Sequence, residues 1–307
     1  MDFEINQLES TLAAEVAGLD CGMPLDIDGF RIIKEAFLDY PVLVFREAMA
    51  SPAVLAEFAR QFGPVETNTG TGPRPPAQVA AAKATLAEMV YLCPDDPAVR
   101  VVTNEARPDL SFMGVVDHPE LWRSEASHHA EPCQALLLHA VRSPEAAGAF
   151  EFCDMRAVYR ALPTDLKNEI NKRKAVHHWS PSRNPRLGSS LDAEARTEAE
   201  RIASLVPEML QPMVRTHPET ARPSLYISPR FTLRVDGVPT ALSDMLLKEL
   251  FTFAEDERFH YRHEWRPRDL ILWDNRCLNY RDRSSLKDDI RCLHRVTILG
   301  ETPAYAL

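Results

Sequence analysis

Positive charge is in short supply in this chain. Lys and Arg total 35 against 45 Asp and Glu, a formal charge of −10. That balance gives no long-range attraction for phosphate backbones or anionic lipid. Long hydrophobic runs are missing too: no stretch approaches the about 20 apolar residues of a spanning helix. The N-terminus, MDFEINQLESTLAAEV, is acidic and polar where an export signal is basic and then apolar. The six cysteines, at 21, 93, 133, 153, 277 and 292, form no CxxC pair and are spread over the whole chain. Such spacing argues against a zinc knuckle or a disulfide framework and fits reduced core thiols. No internal repeat is found. These absences predict a soluble, cytoplasmic protein with neither nucleic acid nor membrane as a partner.

With 307 residues, 45% hydrophobic and 26% charged, the chain can bury a full core as one large domain, 1–307. The segments PVLVFRE (41–47), VRVVTNE (99–105), ALLLHAV (135–141) and DLILWDN (269–275) are short, apolar and bounded by turn formers, as buried strands are. Helical patterns lie between them. SPAVLAEFARQFG (51–63) opens on Ser and Pro and closes on Gly63. Helices are also predicted over 161–174 with a Thr164 cap and over 242–256 with Ser243. A Gly/Pro-rich stretch over 67–98 reads as a lid or insertion, and 180–200 as a polar insertion. Strands dispersed through the whole length, with helices inserted at intervals, predict a mainly β, α+β fold: a sandwich or jelly roll rather than a βαβ array.

The most specific text is WRPRDLILWDNRCLNYRDR (265–283), followed by IRCLHRVTILGE (290–301). Supporting segments are PVLVFR (41–46), EFARQFGPVE (57–66), LW-x-S-x-x-S (121–127), AVYRALP (157–163) and MVRTHPET (213–220). In this order and over nearly the entire chain, the sequence resembles the TauD/TfdA family of Fe(II), 2-oxoglutarate-dependent dioxygenases. The resemblance implies a double-stranded β-helix, or jelly roll, of the TauD/TfdA/clavaminate synthase-like type, with helical insertions. It also implies a two-His, one-carboxylate triad, which holds Fe(II) on one face and leaves positions open for the keto acid and oxygen.

Here all three implied ligand positions are exchanged. Arg123 stands where the first His belongs, Glu125 where the Asp belongs and Tyr280 where the distal His belongs. The family's Gly-Gly-Asp-Thr turn reads Ala147-Gly148-Ala149-Phe150, so a hydroxyl implied to bind 2-oxoglutarate has become a phenyl ring. Arg295, at the position implied for the keto-acid arginine, is kept, with Arg291 four residues before it.

Arginine offers only donors and is always protonated, so Arg123 cannot ligate a metal. No metal ligand is therefore assigned and neither Fe(II) nor 2-oxoglutarate is expected as a cofactor, although both are the family's. Tyr280, Glu125 and Arg123 become the catalytic candidates. Arg295, Arg291, Arg123 and His129 are the substrate-binding candidates, His129 because a regular strand would turn it to the face of Arg123 and Glu125. The expected reaction is proton transfer on a small carboxylated metabolite, of lyase, decarboxylase or isomerase type.

Two alternatives stay open: a non-catalytic ligand-binding or scaffold homologue in which the trio is a hydrogen-bonded plug, and an oxidoreductase with a metal relocated to His128 or His129. Trp122 and Trp273 read as core, and His177 and His178 are left without a role. A homodimer or tetramer is compatible with the family.

Overall fold

Alternation of side chains sorts this chain into strands that face two ways. The computed structural model describes residues 3–48, 50–67, 92–103, 105, 121–143, 148–180, 183, 197, 200–201, 203–283 and 290–305. In chain order the elements are β1 (Glu4–Gln7), β2 (Ala13–Ala17), α1 (Ile27–Asp39), β3 (Val42–Phe45), α2 (Pro52–Arg60), β4 (Leu92–Cys93), β5 (Asp96–Thr103), β6 (Ala135–Arg142) and β7 (Ala149–Asp154). Next come α3 (Met155–Ala161), α4 (Thr164–Ile170), β8 (Lys174–His177), β9 (Met209–Pro212), β10 (Val214–Thr216), β11 (Pro223–Leu225), β12 (Thr232–Val235) and α5 (Thr240–Ala254). The chain closes with β13 (His260–Glu264), β14 (Leu270–Asp274), β15 (Leu278–Asp282), β16 (Cys292–Ile298) and β17 (Ala304–Tyr305).

Eight strands form the main sheet in the order β1-β2-β3-β14-β6-β16-β5-β4. The β2–β3 pair is parallel and the other neighbours are antiparallel. On one face Leu43, Phe45, Leu137, Leu270 and Leu272 pack against Ile33 and Phe37 of α1 and Leu55 and Phe58 of α2. On the other face Val42, Val44, Leu136, Leu138, Ile271 and Trp273 meet Phe150, Phe152, Leu278 and Tyr280 of a smaller sheet, β13-β7-β15. Period-two alternation thus covers the central strands with apolar neighbours on both sides. The result is the jelly-roll, α+β architecture that the sequence predicts. A third apolar cluster joins α3, α4 and α5 to the three-stranded sheets β12-β8-β9 and β11-β10-β17.

The predicted strands all form, with ends shifted by a few residues. Helix α2 starts as expected, with the Ser51 hydroxyl accepting from the Val54 amide (3.4 Å) and Pro52 in the first turn. It ends at Arg60 with Gln61, not Gly63, as its C-cap, and two further helix predictions need correction. Residues 161–174 are not one helix, because Pro163 excludes helical geometry at Leu162 (ψ 142°). Helix α4 then starts at Thr164 without a side-chain cap, and Lys174 already begins β8. Ser243 does not cap the last predicted helix, which starts earlier, at Thr240. It is fully buried instead, and its Oγ accepts from the Val235 amide (2.8 Å), tying α5 to β12. Most of the predicted lid (68–91 of 67–98) and most of the polar insertion at 180–200 lie outside the described residues. Among the described residues, no helix is long and apolar enough to cross a membrane.

Gly300 closes the main sheet against the segment that follows the site. A Cβ there would stand 2.2 Å from the Pro132 carbonyl oxygen and 2.7 Å from the Gln134 amide nitrogen, both backbone atoms. Gly300→Ala is therefore expected to destabilise the fold by about 2 kcal/mol or more, read as a lowered urea midpoint. An unchanged midpoint would mean that residues 132–134 yield at little cost.

Candidate active site

The site grows from the link between β14 and β15, which carries the chain from the main sheet to the smaller one. Asp274 accepts from the Arg276 amide and Nε (both 2.9 Å), from Arg276 Nη2 (2.7 Å) and from His217 Nε2 (2.9 Å). The other nitrogen of His217 accepts from the amides of Glu219 (3.2 Å) and Thr220 (3.1 Å), so Nε2 carries the proton that Asp274 receives. Burial alone would raise the Asp274 carboxyl. Arg276 and His217 outweigh it and hold the group far below the usual range.

With the link fixed, Asn275 grips the opposing segment. Its Oδ1 accepts from the Glu125 amide (2.7 Å), and its Nδ2 donates to the carbonyls of Glu125 and Cys133 (2.9 Å each). The Ser124 hydroxyl adds a bond to the Asn275 carbonyl (3.0 Å). One residue earlier, Arg123 pairs with Tyr280 as an isolated antiparallel bridge, through amide-to-carbonyl bonds of 3.0 and 2.8 Å. Ala126, at φ 57°, then turns the chain away.

These constraints bring four predicted residues together. The Tyr280 hydroxyl donates to Glu125 Oε2 in a short hydrogen bond. Arg123 Nε stands 3.0 Å from the Tyr280 oxygen and 3.3 Å from Glu125 Oε2, with its guanidinium 4.3 Å above the Tyr280 ring. Arg295 Nη2, from β16, donates to Glu125 Oε1 (3.1 Å). Phe150 stacks on the buried Tyr280 ring (6.2 Å, 9° between planes). Desolvation opposes ionisation of Glu125, but Arg295, Arg123 and the Tyr280 hydroxyl hold it well below the carboxylate range. Burial, with the neighbouring carboxylate, pushes the Tyr280 phenol up despite Arg123. Arg295 stays firmly protonated, because Glu125 outweighs its desolvation.

Two candidates fall elsewhere. His129 does not share the face of Arg123 and Glu125: the strand does not run on, and the turn at Ala126 leaves His129 exposed. Its neighbour His128 stacks on Phe231 (4.7 Å). Arg291 is buried in an ion pair with Asp282 (2.5 Å), 5.8 Å from the Phe150 ring, which binds its charge away from the cluster.

One contributor escapes sequence reasoning altogether. Arg100, opposite Arg295 in the β5–β16 register, adds positive charge near Glu125 and pairs with Glu66 at 2.8 Å. Only strand register reveals it, since no motif surrounds it.

The remaining polar residues brace the site. Trp122 is buried, its Nε1 donates to Glu255 (2.9 Å), and Arg281 covers its ring (4.0 Å). His178 Nε2 lies 3.1 Å from the Ala203 carbonyl oxygen and 3.0 Å from that of Val206. His177, fully buried, bridges the hydroxyls of Ser127 (3.0 Å) and Thr232 (3.1 Å) and so anchors the turn that carries Glu125. Desolvation pushes its pKa down to about 3.

Comparison with known proteins adds an independent line. A family profile described as "Taurine catabolism dioxygenase TauD, TfdA family" matches residues 4–297. The chain is 34% identical over 301 residues, 98% of itself and 99% of the relative, to an alpha-ketoglutarate-dependent 2,4-dichlorophenoxyacetate dioxygenase of Cupriavidus pinatubonensis. It is 30% identical over 278 residues, 90% of itself and 88% of the relative, to an (S)-phenoxypropionate/alpha-ketoglutarate-dioxygenase of Sphingobium herbicidovorans. Among solved structures, AAD-2 in complex with Mn(II) and N-oxalylglycine superposes with a TM-score of 0.74 at 27% identity, covering 99% of both chains. A taurine dioxygenase from Burkholderia xenovorans gives 0.75 at 22% identity, covering 99% of this chain and 91% of that one, a likeness of fold alone.

The buried His177 sets a pH dependence of stability. Its folded pKa lies below its unfolded value of 6.5, so the unfolded chain binds the proton first as pH falls. Its contribution is fully present above about pH 6.5 and drains away as pH drops toward its folded value. His177→Asn is expected to flatten the urea-midpoint profile between those limits; an unaltered slope would assign the acid sensitivity to other groups.

Proposed function

The chain belongs to the taurine catabolism dioxygenase TauD, TfdA family, and on that premise we propose that it acts on a small carboxylated molecule by proton transfer, without the family's Fe(II) and 2-oxoglutarate centre. One observation carries the reading: two guanidiniums and a phenol, from Arg123, Arg295 and Tyr280, converge on a single carboxylate. Such a donor set is built for a carboxylate. The relatives' names agree on substrate class, since 2,4-dichlorophenoxyacetate and (S)-phenoxypropionate are both carboxylates.

The side chains present do not suit Fe(II). A facial iron site needs imidazole and carboxylate ligands with open positions. Arg123 brings a permanent positive charge and no lone pair, and the Tyr280 hydroxyl is engaged by Glu125. Among the described residues, no three His, Cys, Asp or Glu side chains gather as a metal-binding group. His128 and His129 point to no relocated centre, one being stacked on Phe231 and the other exposed.

In this reading Arg123 and Arg295 hold the substrate carboxylate, and Tyr280 and Glu125 move the proton. Glu125 takes a proton from a carbon next to a substrate carbonyl as Tyr280 donates its own to that carbonyl oxygen: the C–H bond breaks, an O–H bond forms and the product is the enol. Proton return from Glu125 to the phenolate restores the starting pair. At rest the two groups are tuned far apart, Glu125 ionised and Tyr280 protonated. A substrate carboxylate that engages the guanidiniums withdraws the charges that hold Glu125 ionised and so raises that carboxyl toward the range useful for a base, while the same withdrawal keeps the Tyr280 phenol protonated. The same resting mismatch is the one observation that favours a second reading, a non-catalytic homologue that binds a carboxylate and goes no further.

The deciding experiment uses protein purified without a chelating tag and titrated anaerobically with Fe(II) and 2-oxoglutarate. Neither one-to-one iron nor the absorbance of a metal-bound keto acid is expected. Tight iron with that absorbance would return the protein to the dioxygenases.

For the chemistry, turnover of carboxylated substrates without oxygen uptake is expected to fall at least 100-fold in Tyr280→Phe and Arg123→Ala. Full activity in both variants would sink the proton-transfer assignment. Binding without turnover in the unaltered protein would favour the second reading.

A further inference from the structure

Glu125 sits where a ligand of this site would sit. Its two oxygens take one bond each from Arg295 and Tyr280, and Arg123 completes the ring at 3.3 Å. A free carboxylate binding here would ask for those same donors. The cluster is not sealed: the side chains of Glu125, Arg123 and Arg295 are 20%, 14% and 16% exposed. The Glu125 backbone is pinned at both its amide and its carbonyl by Asn275, so the side chain can leave by rotation while the chain stays in place.

Charge points the same way. Arg295 is paired with Glu125 at 3.1 Å. Arg295 Nε is also buried and without a hydrogen-bond partner, a donor that one tethered carboxylate leaves unused. A buried charge with donors to spare is costly to keep in that state.

Resting on the carboxylate-site reading above, we infer that Glu125 is a tethered internal ligand that occupies its own anion site and that a monocarboxylate binds by displacing it. The exchange swaps one ion pair for another, so its net driving force is small. Affinity is then set by how firmly Glu125 is held, and removing its charge frees the site. Tyr280, with Phe150 stacked on it and Trp273 beside it (5.0 Å), stays as the fixed wall against which either carboxylate docks.

The test uses the full chain with formate and acetate as probes, and chloride as the control for ionic strength. In Glu125→Ala, where a cavity replaces the tethered carboxylate, formate is expected to raise the melting temperature saturably, by several degrees more than in the unaltered protein. In Glu125→Gln, phenoxyacetate is expected to bind at least 10-fold more tightly than to the unaltered protein, by calorimetry. Equal affinity in Glu125→Gln and the unaltered protein, with no formate rescue of Glu125→Ala, would overturn displacement and leave the carboxylate site standing. Silence of all three proteins toward formate, acetate and phenoxyacetate would overturn both. Should Glu125→Ala fail to fold without formate, its folding in formate but not in chloride supports displacement, and failure in both leaves the affinity of Glu125→Gln to decide.

Discussion

The Asp274–Arg276–His217 interaction is the constraint on which the rest depends. It sits where the chain leaves the main sheet at the end of β14 and enters the smaller sheet at β15. All three side chains are buried. A buried carboxylate needs compensation, and a two-toothed guanidinium contact with a histidine of fixed tautomer supplies it. Because the link is rigid, Asn275 is held with its amide aimed at the 123–125 segment, and Tyr280 enters β15 opposite Arg123. The contact between the two sheets and the geometry of the site are thus one structural event.

From that anchor outward, charge dominates. Glu125 is held ionised by two guanidiniums and a phenol, and Tyr280 is kept protonated by burial beside Phe150 and Trp273. Arg123 brings a permanent positive charge to this cluster. A metal ion presents open positions to oxygen donors, whereas a guanidinium presents hydrogens in a plane and recognises an anion by direction.

Much of the fold was legible in the residues. The apolar runs at 41–47, 135–141 and 269–275 alternate with side chains of both faces buried, and they emerge as β3, β6 and β14 at the centre of the main sheet. Errors came where one residue overruled a pattern: Pro163 split a helix, and Ser243, a good cap by type, was drawn into the core to bond Val235. In the site, the motif spacing singled out Arg123, Glu125, Tyr280 and Arg295, and the structure gathers those four. It separates Arg291 and His129, because one found Asp282 and the other lies past a left-handed turn at Ala126.

The sequence by itself determined the acidic composition, the period-two strands and the motif spacing that singles out Arg123, Glu125, Tyr280 and Arg295, since these depend only on residue type and spacing. Tertiary structure alone decided who neutralises whom. Arg100 reaches the cluster because β5 lies beside β16 in a register that sets it opposite Arg295, and Asn275 clamps Glu125 from 150 residues away. Long-range pairing of this sort leaves no local signature, because the energy of a buried charge depends on the neighbours that folding brings to it and not on those next to it in the chain.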